Sequence, residues 1–283
     1  MRHLTVGDKV DLMLDSEVTF RIYADNQPHV GQTACLQKGA ILVRDGTELV
    51  EEGLGIGLPV CRYADGTRFA LDADTLVDDS ARAPTVIKVF DMNGIAARRF
   101  RGSLIRRGSY RARLFKLMEG GYRRLHRFGI EATPILNVFG ALGMRNEYLE
   151  SPSKGRITVK YGITGKALRI NASLEGLSSE ELEGVVFANE EGGSIFREYA
   201  DSTGIRLHEK QIEPWQKTEA EWASLHSGKH DIGFRISRPS GWLVVRGREV
   251  AGDRISWSGL DLLSSTAPRT LEYLAEVVGG IGD

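Results

Sequence analysis

The sequence predicts a mainly β protein: a large two-sheet antiparallel sandwich, with residues 1–283 in a single domain and a small central helical insert at about residues 109–150. Two observations lead to this fold class. Short runs rich in Ile, Val, Phe, Tyr and Trp fill both ends of the chain, separated by glycine, serine and proline. The regular strand–helix alternation of a parallel α/β fold is missing. Single β domains commonly reach this length.

The first hundred residues contain three turn signals that predict an antiparallel meander. Asp-Gly and Asn-Gly tolerate the positive φ angles of the type I′ turn that joins two antiparallel strands. The first turn would place Leu42 opposite Leu49, and the third would place Met92 opposite Ile95. The three dipeptides are Asp45-Gly46, Asp65-Gly66 and Asn93-Gly94.

The glycine run EEGLGIGLPV at residues 51–60 raises the question of a nucleotide site. A dinucleotide cradle needs the spacing G-x-G-x-x-G and a following helix, whereas this run reads G-x-G-x-G and a hairpin pattern follows it. The run is typical of a mobile loop or of a strand that another backbone approaches closely. No nucleotide cofactor is therefore predicted.

The central insert is predicted from apolar residues at helical spacing between residues 109 and 128, with basic residues on the opposite side. Gly120-Gly121 would break or kink this helix, and a second, shorter helix would follow Pro134. Residues 98–127 carry eleven Arg or Lys and one Glu, whereas residues 174–221 carry twelve acids and four bases. These segments either pair with each other, within the chain or across a homodimer, or the arginines bind an anionic ligand.

The second half of the chain returns to short extended runs from Gly155 onward. Residues 191–193 and 239–241 are typical of hairpin turns, and residues 218–226 are the single helical candidate between them. The strand patterns predict a set of buried residues: Leu42, Leu49, Val89, Val159, Phe234, Val244 and Ile255.

Composition restricts the compartment and the partners. The formal net charge is −1, which favours no polyanionic partner and makes nucleic acid an unfavoured one. No apolar run reaches the length of a membrane span, and the N-terminus lacks a signal peptide's apolar region. Cys35 and Cys61 fit neither a disulfide framework nor a metal motif. The sequence therefore predicts a soluble cytoplasmic protein with two reduced thiols.

The size and the meander resemble the supersandwich fold of galactose mutarotases and of the sandwich domains in many carbohydrate-active enzymes. The resemblance concerns the fold alone. The paired asparagine–histidine signature of the mutarotases is missing, so the catalytic residues of that family are not transferred to this chain.

Candidate site chemistry centres on two strand patterns, GWLVVRGREV and DRISWSGLDLL. Arg246 and Arg248 share one strand face with Trp242 and Val244, and Trp257 shares a face with Asp261. Aromatic rings beside arginine and carboxylate suit a saccharide, because indole stacks on the apolar face of a pyranose. The alternative is that these tryptophans lie in the core while the arginines extend along its rim.

The resulting hypothesis is a carbohydrate-related protein, either sugar-binding or epimerase- or lyase-like. His230 or Glu249 would act as the general base, and Arg246, Arg248 and Trp257 would bind a saccharide or another small anionic ligand. His226 and His230 have a metal-ligand spacing, but Gly228 interrupts any helix there, so no metal is predicted. The alternative is a non-catalytic scaffold that dimerises or docks a partner through the amphipathic basic insert.

Overall fold

The computed structural model describes residues 1–25, 33–80, 83–100, 103–104, 144–213, 215–251, 255–266 and 268–279. These residues form β-strands almost throughout, as the sequence predicts. The single helical element among them is a 3₁₀ turn, Glu209–Gln211. No helix in these ranges is long and apolar enough to cross a membrane.

Within the ranges just given, twenty-three strands follow in chain order. The first twelve are β1 (Arg2–His3), β2 (Lys9–Met13), β3 (Val18–Tyr23), β4 (Ile41–Arg44), β5 (Thr47–Glu48), β6 (Gly55–Tyr63), β7 (Gly66–Phe69), β8 (Asp72–Asp78), β9 (Thr85–Asp91), β10 (Gly94–Phe100), β11 (Ser103–Leu104) and β12 (Met144–Glu150). The remaining strands are β13 (Gly155–Thr164), β14 (Ala167–Leu177), β15 (Leu182–Gly192), β16 (Glu198–Asp201), β17 (Arg206–His208), β18 (Gln216–Thr218), β19 (Trp222–Ser227), β20 (Ile232–Ser237), β21 (Leu243–Ala251), β22 (Ile255–Ser264) and β23 (Thr270–Val278).

The strands form two large antiparallel sheets and one small sheet. The ten-stranded sheet has the order β1-β8-β9-β13-β14-β23-β20-β19-β16-β17. The nine-stranded sheet has the order β11-β10-β7-β6-β15-β22-β21-β18, with β12 paired to β10. A four-stranded sheet, β2-β3-β4-β5, comes from the first fifty residues. This third sheet was not predicted from the sequence.

The core lies between the two large sheets. Phe187 of β15 contacts Tyr273 of β23 edge-to-face, with ring centroids 6.4 Å apart, and also contacts Trp242. The inward residues of β15 are therefore Val185, Phe187 and Asn189, and the residues between them point away from the ten-stranded sheet. The side to which these alternate residues point is the outer face of the nine-stranded sheet.

The predicted hairpins at Asp45-Gly46 and Asp65-Gly66 are present. At the first, Arg44 pairs with Thr47 and the Leu49 amide donates to the Leu42 carbonyl at 2.9 Å, which is the predicted register. At the second, Tyr63 pairs with Gly66, so the two loop residues are 64 and 65, one position earlier than predicted.

The third predicted hairpin, at Asn93-Gly94, is wrong. The strand before it, β9, belongs to the ten-stranded sheet, whereas β10 belongs to the nine-stranded sheet, so Met92 and Ile95 do not pair. The Asn93 side chain instead accepts a hydrogen bond from the Leu71 amide. Residues 191–193 and 239–241 likewise connect strands of different sheets. Each of these glycine-containing turns carries the chain across the sandwich rather than back along the same sheet.

The helical predictions have two outcomes. Most of the insert predicted at about residues 109–150 lies outside the described residues, as does most of the basic 98–127 window. Its end, residues 144–150, forms strand β12 and not a helix. The helical candidate at residues 218–226 is also wrong, because Trp222–Ser227 is strand β19. Five of the six residues of that strand are buried, so the strand lacks the alternation that would identify it.

The predicted core is largely confirmed. Five of its members are buried: Leu42, Leu49, Val159, Phe234 and Val244. Val89 is wrong, because the face of β9 is reversed and its neighbours at positions 88 and 90 are the buried ones. The side chain of Ile255 lies outside the described part of the chain. Both cysteines are free thiols; Cys61 is buried and Cys35 is exposed.

The reversed face of β9 buries Lys88 completely. Its Nζ donates to the backbone carbonyls of Tyr23 and Lys38, each at 3.0 Å, and lies 5.3 Å from the centre of the Phe90 ring. Because Tyr23 ends strand β3 and Lys38 precedes β4, this amine joins the four-stranded sheet to the ten-stranded sheet.

Candidate functional site

The structure turns the two predicted arginines inward. Arg248 is 8% exposed; its Nε donates to the Gly193 carbonyl at 2.9 Å and its Nη1 pairs with Glu213 at 3.0 Å. Arg246 donates to the Ile212 carbonyl at 3.0 Å. The shared face predicted for these arginines is therefore confirmed, and their hydrogen bonds hold residues 212, 213 and 216 in place.

His230 lies in a different place. It lines a cavity of about 320 Å³ together with residues that include Ser194, Arg197, Glu198 and Lys229. This cavity lies at the turn between β19 and β20, whereas Glu249 and Trp257 belong to the nine-stranded sheet. The structure therefore does not bring His230 into one site with the other predicted residues.

Glu249 and Trp257 are brought together on the outer face of the nine-stranded sheet. They oppose each other on β21 and β22. Glu249 also accepts a hydrogen bond from the indole Nε1 of Trp215, at 2.8 Å. Trp215 was not predicted as a site residue, since it lies in an irregular part of the chain just before β18.

The Trp215 indole packs directly on the backbone of two glycine residues. Gly247 and Gly259 oppose each other on β21 and β22. A Cβ atom added at Gly247 would lie 2.2 Å from the ring, and one added at Gly259 would lie 2.7 Å from the ring's far edge. Only glycine at both positions lets the indole approach the sheet this closely.

Glu190 stands beside this indole. It opposes Gly259 on β22 and Gly55 on β6, so it is flanked by glycine on both neighbouring strands. A Cβ atom at Gly259 would also lie 2.9 Å from Glu190 Cγ, which places the carboxylate stem and the edge of Trp215 on either side of that glycine. A row across four neighbouring strands is thus formed by Gly247, Gly259, Glu190 and Gly55. Glu190 has the only side chain in this row.

Asp261 shares the outer face with Glu190. It follows Gly259 by two residues on β22, which makes it a diagonal neighbour of Glu190. One Asp261 carboxylate oxygen accepts the Asn189 amide N–H at 3.1 Å. The two carboxyl groups therefore lie side by side, and that of Asp261 is close to the backbone of the sheet.

This arrangement shifts both carboxyl groups toward the protonated form. Burial raises the pKa of Asp261 to about 7. Burial also raises the pKa of Glu190 well above its usual value, and the charges of Asp261 and Glu249 raise it further. Two adjacent carboxyls resist being ionised together, so this pair holds a proton near neutral pH.

Tyr148 of β12 lies within electrostatic reach of Glu190 and Glu249. Burial raises the pKa of its hydroxyl to about 12, and the nearby negative charges of Glu190 and Glu249 add to the shift. Its ring contacts Phe69 edge-to-face, with centroids 5.0 Å apart. Because its pKa is raised, this hydroxyl is neutral at ordinary pH and can both donate and accept hydrogen bonds.

The glycine run at residues 53–57 now has a structural role. Strand β6 begins at Gly55, so no helix follows the run, as predicted. A Cβ atom at Gly53 would lie 2.6 Å from the Glu190 carbonyl. Gly57 has a φ of 83° and forms the β-bulge opposite Ala188 and Asn189. The run lets the chain come close to β15, where the Leu54 amide helps to stabilise the Glu190 carboxylate.

A fully hydrogen-bonded side-chain amide, that of Asn189, lies beneath the carboxyl pair. Asn189 is fully buried, and its Oδ1 accepts the Gly57 amide at 3.1 Å and the Tyr273 hydroxyl at 2.7 Å. Its Nδ2 donates to the carbonyls of Phe187 and Leu260. All the hydrogen-bonding capacity of this amide is used, which connects the bulge on β6 to both large sheets.

No group of three or more His, Cys, Asp or Glu side chains within the described ranges is placed to hold a metal ion. The signals for the carboxyl pair were present in the sequence only as EEGG and GLDLL. Neither pattern shows that residues 190 and 261 become neighbours, because that depends on the pairing of β15 with β22.

The comparisons with known proteins add two structural likenesses. No protein-family model matches the chain, and no curated protein matches it significantly. The crystal structure of a galactose mutarotase-like protein from Lactobacillus casei ATCC 334 aligns with 96% of this chain and 100% of its own, at 12% identity and a TM-score of 0.46. The Slr1438 protein from Synechocystis sp. PCC 6803 aligns with 99% of this chain and 100% of its own, at 10% identity and a TM-score of 0.41. Because both scores are below 0.5, the fold class rests on the sheet topology of the chain itself.

Proposed function

We propose that the outer face of the nine-stranded sheet binds a saccharide and that Glu190 and Asp261 transfer protons to and from it. The observation that carries this proposal is the carboxyl pair on a glycine-lined strip beside the Trp215 indole. The chemistry is of the epimerase or lyase type, in which a proton is moved at a sugar carbon or oxygen.

The surroundings of the pair suit a sugar ring. Indole presents a flat apolar face to the C–H groups of a pyranose, while carboxylates accept strong hydrogen bonds from its hydroxyl groups. Trp215 and Trp257 supply the indoles, and Glu249 orients the first of them through the 2.8 Å hydrogen bond.

The proton-transfer role follows from the raised pKa values. A group is most effective as a general acid or base when its pKa lies near the working pH. With a pKa of about 7 at Asp261, the pair holds a proton that it can donate or take back near neutrality. The general base is therefore assigned to this pair. Glu249 acts through Trp215, and His230, in its separate cavity, has no role in the proposal.

The test uses a panel of D-glucose, D-galactose, D-mannose and D-glucuronate. Binding is measured by saturation-transfer NMR, and turnover by anomer interconversion and by hydrogen–deuterium exchange at sugar carbons in D₂O. We expect at least one sugar to bind and react, with Glu190→Gln and Asp261→Asn each removing turnover.

The matched control is Glu272→Gln, whose carboxylate lies on the ten-stranded sheet beside Asn171. It should behave as the wild type does. A wild-type protein that binds none of the four sugars would contradict the proposal, as would turnover that survives both substitutions in the carboxyl pair.

A further inference from the structure

We infer that Trp215 is the stacking platform of the saccharide site and that Arg248, from inside the sandwich, is the residue that positions it. This inference rests on the proposed function, which it extends to a specific binding surface. It also assigns a task to residues 212, 213 and 215, which belong to no recognisable motif.

Three contacts fix the orientation of the Trp215 indole on the outer face of the sheet. One face of the indole lies on Gly247 and Gly259, and its Nε1 donates to Glu249. The residue as a whole is only half-buried. With the first face against the sheet, the exposed part belongs to the opposite face and the ring edge, beside Glu190. A ring stacked there would lie next to Glu190.

The inner side is defined by the two inward arginines. Two residues before Trp215, Glu213 is 13% exposed and pairs with Arg248, which is itself bonded to the Gly193 carbonyl. Arg246 holds the Ile212 carbonyl in the same way. Glu213 therefore lies on the inner side of the nine-stranded sheet and Trp215 on its outer side.

The buried Arg248 guanidinium has two hydrogen-bonded partners, and it therefore fixes the position of Glu213 and of the residues next to it. Breaking a buried ion pair leaves a charge without compensation, so these residues cannot shift without cost. Lysine would keep the charge, but its three N–H donors share one nitrogen atom, so it cannot reproduce the fork in which Arg248 reaches Gly193 through Nε and Glu213 through Nη1. Arg248→Lys should therefore move Trp215 while the sandwich remains folded.

The experiment follows the indole N–H resonances of the four tryptophans in ¹⁵N-labelled protein, assigned through single Trp→Phe variants. In the absence of sugar, Arg248→Lys should shift the Trp215 resonance and leave that of Trp222 unchanged. Trp222 is the internal control, because it lies on β19 of the ten-stranded sheet next to Arg235. A Trp215 resonance that does not move would refute the positioning role.

In the second arm, the same spectra are recorded with the four sugars of the panel. A bound sugar should shift the Trp215 resonance, and Trp215→Ala and Arg248→Lys should each weaken its binding by about tenfold, as expected for one aromatic contact. Trp222→Phe should leave the affinity unchanged. Binding of a sugar without any change at Trp215 would overturn the platform while leaving the proposed function standing. If no sugar binds the wild type, both fall.

Discussion

The buried amine of Lys88 makes the stability of this protein depend on pH. Burial lowers its pKa from the usual 10.5 to about 7, with the charge of Asp25 opposing the shift. In the unfolded chain the amine regains its usual pKa. Between pH 7 and 10.5 the unfolded chain therefore binds a proton that the folded protein does not. The free energy of unfolding consequently rises with pH in this window.

The size of the effect follows from the shift. Each pKa unit corresponds to about 1.4 kcal/mol, so the amine contributes a slope of up to about 1.4 kcal/mol per pH unit above pH 7. Over the whole window the change is at most about 5 kcal/mol. Below pH 7 the amine is protonated in both states and the contribution becomes constant.

Lys88→Met tests this reasoning, because methionine has a similar length and no charge. The substitution leaves the carbonyls of Tyr23 and Lys38 without this donor, at a cost of about 1–3 kcal/mol each. We expect the variant to be less stable than the wild type at pH 9.5. The difference should shrink steadily as the pH falls to 7, because the wild type then bears the cost of a buried charge.

The assay is urea unfolding at half-unit steps from pH 7 to pH 9.5. Other titrating groups, including Lys38 with its pKa of about 8, act equally in both proteins and cancel in the difference. The matched control is Lys160→Met on the exposed side of β13, which should have the wild-type slope. Parallel stability curves for Lys88→Met and the wild type would refute the argument.

Three smaller perturbations address other parts of the structure. Phe234→Ala removes a fully buried ring and should lower the free energy of unfolding by about 3–5 kcal/mol in the same assay; a loss below about 1 kcal/mol would contradict its place in the core. Asp261→Asn removes a neighbouring negative charge and should lower the pKa of Glu190, followed by ¹³C NMR of the carboxyl carbons; an unchanged titration would show that the two groups do not interact. Gly247→Ala places a methyl group 2.2 Å from the indole above it and should displace that ring, with a red shift of tryptophan emission. Gly162→Ala, where the nearest atom would be 3.6 Å away, is the control and should leave the emission unchanged.

The fold class was predictable because its signals are local. At Asp45 and Gly46, with φ of 50° and 77°, the dipeptide has the conformation that a type I′ turn requires. At Asn93-Gly94 the same kind of signal marks a change of direction, but the chain passes to the other sheet. Turn chemistry determines where a chain can reverse, and the choice of sheet depends on which distant strands are available. For that reason the sequence predicted the sandwich but not its strand order.

The candidate site was predictable only in part for the same reason. Glu249 and Trp257 could be found because both lie in strongly patterned strands. Glu190 and Asp261 are far apart in the chain and meet only through the register of β15 with β22. Trp215 comes from an irregular segment, and its position depends on inward arginines whose partners no spacing reveals. The faces of β21 were predicted correctly, and the structure adds the partners of its two arginines, which are the Ile212 carbonyl for Arg246 and Glu213 with the Gly193 carbonyl for Arg248.

The bulge at Gly57 and the buried Asn189 have a consequence for how the protein must fold. A slip of β15 by a single residue would exchange its two faces, turning Glu190 into the core and Asn189 outward. The four hydrogen bonds of Asn189 can be made in one register only, so they discriminate against the slipped pairing. The partners of β15 lie about 130 residues before it and about 70 after it in the chain. The carboxyl pair therefore exists only when β15 has paired with β22, and a fragment that lacks either of these two strands should not possess it.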